Sequence, residues 1–209
     1  MTPEQLRAAL QKYMPADAID DCVEWIMKHK IIVRIKRSRQ SKYGDYHPPS
    51  NGQNHKITIN NDLNPYAFLI TFTHEVGHLI CFNRYGQRAA PHGIEWKREF
   101  KNLLIPFLYK NIFPPDIKSA LINYLQNPSA SSCSDLQLQK ALSVYNEKEA
   151  GWVHLEELTE GTLFKIYNGK AFIKGRKLQK NFECMEVLKR HKYFINPLME
   201  VMAIDEEEK

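Results

Sequence analysis

Thr73-His74-Glu75-Val76-Gly77-His78 is the stretch that decides how this chain folds. It lies inside a segment that opens on Asn64-Pro65, with Asn as helix cap and Pro just inside, and closes at Tyr85-Gly86. Two histidines four residues apart on a helix point the same way, so both imidazoles can grip one Zn²⁺ at about 2.0–2.1 Å. The glutamate beside the first histidine then stands next to the metal without binding it. There Glu75 can take a proton from water that zinc has acidified toward a pKa of roughly 7. With 8 histidines in 209 residues, chance placement yields this H-E-x-x-H pattern roughly 0.02 times. The competing reading, two capped or packed core histidines, is weakened by candidate ligands downstream.

Three residues can complete the ligand set. His92 follows the helix end at Tyr85-Gly86, and a turn there would bring it back to the metal. Glu95 and Glu99, on the next helical stretch, are the thermolysin-like alternatives. The metzincin pattern requires Gly three residues after the second His. That place holds Cys81, which excludes it.

The run Thr73–His78 together with Pro91-His92-Gly93-Ile94-Glu95-Trp96 resembles the SprT-like zinc metallopeptidases, whose eukaryotic members include Spartan. The likeness covers roughly residues 1–110. It implies an α+β, zincin-like metallopeptidase domain, mostly helical with a small sheet, one zinc ion held by His74, His78 and His92, and Glu75 as general base. It also implies a protein or peptide substrate, with DNA as a second partner. Many relatives end in a zinc ribbon with paired cysteines. Here Cys184 stands alone in the corresponding region, and one cysteine cannot build that site.

Outward from the motif, Thr2-Pro3-Glu4-Gln5 opens a first helix, and a second is expected over Ala16–His29. Ile31–Arg37 and His55–Asn60 alternate as strands and can pair through the Gly-, Pro- and Ser-rich loop from Ser38 to Asn54. Ile57–Asn60 or Ile31–Arg37 could be an edge strand beside the metal, where an extended substrate backbone would pair. Further helices are expected over Ile94–Tyr109, Asp116–Leu125 and Asp135–Tyr145. Beyond Gly151 short strands take over, with Phe164, Phe172, Phe182 and Tyr193 as candidate core. The expected organisation is a metallopeptidase domain over 1–126, a connector with a helix over 127–150, and a small β-rich module with an acidic tail over 151–209. His47 and His55 are read as surface histidines, and Trp96 as packing beneath the ligand histidine.

Composition sets the remaining bounds. Hydrophobic residues make up 43% and charged residues 25%, as in a globular protein with a real core. No apolar run reaches the roughly 18 residues of a membrane span. The first residues show no basic-then-apolar leader, and the four cysteines lie far apart, so a reducing cytoplasm is expected. Seven Lys or Arg and no acid lie between Lys28 and Lys42, and nine bases face three acids between Gly161 and Ile204. Such clustering suits a polyanion, with Arg34, Lys36, Arg37 and Arg39 as candidate nucleic-acid contacts. Two other function classes remain at this point: a nucleic-acid-associated binding protein with a structural zinc, and a zinc hydrolase of small amides.

Overall fold

The fold is described from a computed structural model, over residues 1–39, 42–50, 52–128, 135–146 and 150–204. Cys133, most of the Ser-rich connector and the acidic tail Asp205–Glu208 lie outside the described residues. The chain is mixed α/β and divides into two compact units, Met1–Asn146 and Glu147–Lys209.

In the first unit, α1 (Pro3–Leu10) starts with a full capping box on Thr2 and Gln5, and α2 (Ile19–His29) follows a short 3₁₀ turn at Ala16–Ala18. Three strands come next: β1 (Ile32–Lys36), β2 (Gly44–His47) and β3 (Lys56–Asn60). They form one sheet in the order β1-β3-β2, with β1 parallel and β2 antiparallel to β3. Two expectations change here. The segment from Ser38 to Asn54 contains a strand, β2, hidden by its Gly- and Pro-rich surroundings. And β3, which includes Ile57–Asn60, is central, so the free edges belong to β1 and β2.

The long helix α3 (Pro65–Tyr85) is capped by Asn64, whose side chain accepts from the Tyr66 and Ala67 amides at 3.1 and 2.9 Å. Thirteen of its residues, Ala67 to Cys81 with few gaps, are buried, which is the signature of a helix running through a core. Around it pack α4 (Ile94–Tyr109), α5 (Pro115–Tyr124) and α6 (Leu136–Ser143). The Asn64 amide also donates to the Leu142 carbonyl at 2.8 Å and to Asn146 at 2.7 Å. The helix that the sequence placed in the 127–150 connector is thereby tied to the first unit. Phe68, Phe72, Trp96, Phe100, Leu104, Ile57 and Ile59 fill the core without measurable exposure.

The second unit is a six-stranded antiparallel sheet in the order β4-β9-β5-β6-β7-β8, made of β4 (Trp152–His154), β5 (Leu163–Lys165), β6 (Ala171–Lys177), β7 (Phe182–Glu186), β8 (Lys192–Ile195) and β9 (Glu200–Ala203). Phe164, Phe172 and Phe182 are core, with Leu155, Cys184, Ile195 and Val201. Tyr193 is not: it sits on the edge strand β8, 36% exposed, with its ring edge-on to Phe172 at 5.4 Å. No helix among the described residues is long and apolar enough to cross a membrane.

Candidate metal centre

Three imidazoles converge at the middle of α3. His74 Nε2 stands 3.2 Å from His78 Nε2 and 3.2 Å from His92 Nε2, and the last two are 3.0 Å apart. Three nitrogens around a tetrahedral zinc at about 2.0–2.1 Å would lie about 3.3–3.4 Å from one another. The observed triangle is within a few tenths of an ångström of that. A triangle of three neutral imidazoles cannot satisfy itself by hydrogen bonds, because three short edges cannot all be linear N–H···N contacts. The set therefore fits a metal ion. Among the described residues it is the one group of three or more metal-ligating side chains that comes together in this way.

Protonation is disfavoured at the same point. Burial, then the neighbouring imidazoles, lowers His74 to about 2; burial and His92 lower His78 to about 4; burial lowers His92. The free lone pairs a metal needs are thus available at neutral pH.

The third ligand depends on a backbone turn. His92 has φ +58°, a left-handed conformation that costs a non-glycine residue about 1–2 kcal/mol. Gly93 then caps α4, its amide donating to the Ala90 carbonyl at 2.9 Å. The alternatives Glu95 and Glu99 are not in the cluster. Glu99 is buried and accepts from Arg84 Nη1 at 2.8 and 2.9 Å, which ties the end of α3 to α4.

Glu75 lies on the same helix but faces the sheet. A side chain at Gly44 would put its Cβ 2.8 Å from Thr71 Cγ2 and 3.0 Å from Glu75 Oε1, so β2 can lie against α3 only because position 44 is glycine. The edge strand beside Glu75 is thus β2, which the sequence did not reveal. Burial pushes the Glu75 carboxyl up to about 8 and Asp45 adds to it, while Lys42, a hydrogen bond from the Tyr46 backbone and Arg39 pull it back.

On β2, Asp45 is the centre of a polar cluster with Arg39, Lys42 and His47. Asp45 Oδ1 accepts from Thr58 Oγ1 at 2.8 Å, from Lys42 Nζ at 3.1 Å and from Arg39, and His47 contacts the other oxygen. Burial alone would raise its pKa. The hydrogen bonds from Thr58, Lys42 and Arg39, with the Arg39 charge, hold it well below the usual carboxylate range. Arg39 also donates to Asn60 at 2.8 Å, so it is a tie within the fold rather than a free surface cation. Arg34, Lys36 and Arg37 are exposed, the first two alternating outward on the edge strand β1. Of the two surface histidines, His55 is half-buried, with Nδ1 2.9 Å from the Tyr46 hydroxyl.

Comparison with protein-family models, with curated proteins and with solved structures gives no match.

Proposed function

We propose that this chain is a zinc-dependent peptidase of the SprT-like kind, with a zincin-like first unit. The observation that carries the proposal is the pairing of a three-imidazole set with a buried carboxyl, Glu75, set against the edge strand β2. When bound, zinc supplies a Lewis acid for a carbonyl oxygen and lowers the pKa of water.

The residues supply the rest. His74, His78 and His92 would hold the ion with three protein ligands, one fewer than the four that normally close a structural zinc, which supports catalysis over a structural role. Glu75 would take a proton from the attacking water and deliver it to the leaving amine; a dication beside it would favour the carboxylate over the acid. β2 ends the sheet beside Glu75, and an extended peptide would pair along that edge beyond the Tyr46 amide that Glu75 holds, which favours a peptide over a small amide. Exposed basic groups on β1 and just after it, Arg34, Lys36 and Arg37, support a polyanion such as DNA as a second partner.

Metal analysis and hydrolysis of an unstructured protein substrate test the proposal together. One zinc per chain, with cleavage lost on chelation and restored by zinc, is the expected result. Metal-free protein after zinc dialysis, or cleavage unaffected by Glu75→Gln, would overturn it.

A further inference from the structure

Trp96 is the largest fully buried side chain of the described residues and stands at the metal centre. Its ring centroid lies 4.5 Å from His74, 4.8 Å from His92 and 5.3 Å from His78. No other side chain contacts all three imidazole rings among the ring contacts of the described residues. The three approaches differ: near-parallel to His78 at 29°, tilted to His74 at 56°, edge-on to His92 at 75°. Phe100 stacks behind the indole at 5.1 Å and 9°, which fixes the ring plane. The indole N–H points at the His74 carbonyl, 3.4 Å away.

This arrangement depends on a second residue of the motif. A Cβ at Gly77 would stand 3.2 Å from Trp96 Nε1 and 3.5 Å from the Phe100 backbone. The small residue between Glu75 and His78 is what lets α4 bring an indole under the histidines.

We infer that Trp96 is a positioning residue for the metal, holding the three imidazoles as one set and setting its aromatic face against the charge they share with a bound cation. The inference rests on the metal-site reading above. Two physical effects combine. The indole fills the wedge beneath rings mutually inclined by 47–82°, so each loses the freedom to turn away from the metal. Imidazoles bound to a dication also become electron-poor, and an aromatic face attracts them as it attracts other cations. A side chain that fills space alone would supply the first effect and not the second.

The test uses cobalt(II) as probe on the full chain, comparing wild type, Trp96→Phe, Trp96→Leu and Phe107→Leu. Partners that orient metal ligands typically contribute about 10–100-fold to metal affinity. Trp96→Leu should weaken cobalt by that factor and change its visible absorption band, while Trp96→Phe should recover part of both. Phe107→Leu removes a fully buried ring that contacts Trp25 and no ligand histidine. It should lower the melting temperature and leave affinity and band unchanged. Equal affinity and an unchanged band in Trp96→Leu would overturn the inference. If Trp96→Leu does not fold, the wild type decides. The chain has 3 tryptophans, and subtracting the Trp96→Phe emission isolates Trp96. Its fluorescence should respond to metal, and no response would overturn the inference. Failure of the wild type itself to bind cobalt or zinc would strike the metal-site reading instead.

Discussion

Buried ionisable groups meet different surroundings in the two units. In the second, Lys174 is 4% exposed, yet its ammonium donates to the Glu156 carbonyl at 3.3 Å and to the Leu158 carbonyl, and lies 4.0 Å over the Phe182 ring. Burial lowers its pKa, but its donors are used by the chain itself. Glu186, also buried, has Oε1 3.6 Å from Lys170 Nζ, while its Oε2 has no hydrogen-bond partner among the described residues. In the first unit His74 and Glu75 are similarly enclosed, but the imidazole nitrogens face one another, while Glu75 accepts from the Tyr46 backbone. Buried polar groups satisfied by backbone hold strands together. Buried polar groups that converge without satisfying one another mark a place for something else, and His74, His78 and His92 could hold a metal ion there.

The strongest way to break this contrast is to remove a ligand. His74→Ala or His78→Ala should abolish stoichiometric zinc, and His92→Ala should weaken it severely, as read by metal analysis of purified protein. Retention of full zinc in His92→Ala with its loss in Glu95→Ala would hand the third position to Glu95.

Next in size is Glu75→Gln. Hydrolysis should fall by about 10²–10⁴-fold with zinc retained. The same variant tests the buried acid in the metal-free protein. The Glu75 carboxyl rises from 4.5 to about 8 on folding, so its stabilisation is full below pH 4.5 and is lost as pH rises through 8. Glutamine stays neutral. Metal-free Glu75→Gln should therefore melt several degrees above wild type at pH 9, the gap closing toward pH 4.5. The histidines act on the acid side in both proteins. Their lowered pKa values mean that the unfolded chain takes up protons below 6.5 that the folded chain refuses, so stability falls as pH drops.

The second unit offers the reverse test. Phe164→Ala should destabilise by about 3–5 kcal/mol through its own core, with zinc content unchanged. A joint loss of metal would show that the two units do not stand apart energetically.

The smallest effect concerns charge. Reversing Arg34, Lys36 and Arg37 should weaken DNA binding uniformly across sequences and lower the salt slope by about 0.7–0.9 per lost phosphate contact. The comparison is with Lys189, Arg190 and Lys192, all exposed in the second unit. Fluorescence anisotropy at about 50 mM salt separates the two surfaces, and absence of binding in the wild type would remove the nucleic-acid partner.

Local chemistry made much of this protein legible in its sequence. Asn64-Pro65 and Tyr85-Gly86 bound the central helix, Ile94–Tyr109 formed as expected, and the four-residue spacing of His74 and His78 placed two imidazoles on one face, because cap and periodicity act within a few residues. Tertiary structure alone decided the rest. Whether His92, Glu95 or Glu99 meets the other two histidines depends on a left-handed turn and on the Arg84–Glu99 tie, neither of which has a local signal. The strand Gly44–His47 was hidden because its stability comes from pairing with β3 and from the close approach that Gly44 permits to Glu75, both contacts distant in sequence. Arg39 read as a surface cation until the fold set Asp45 and Asn60 beside it. Sequence fixes which groups are available and how neighbours along the chain are spaced; which groups meet across the core is set by packing, where burial and pairing energies from separate segments are added together.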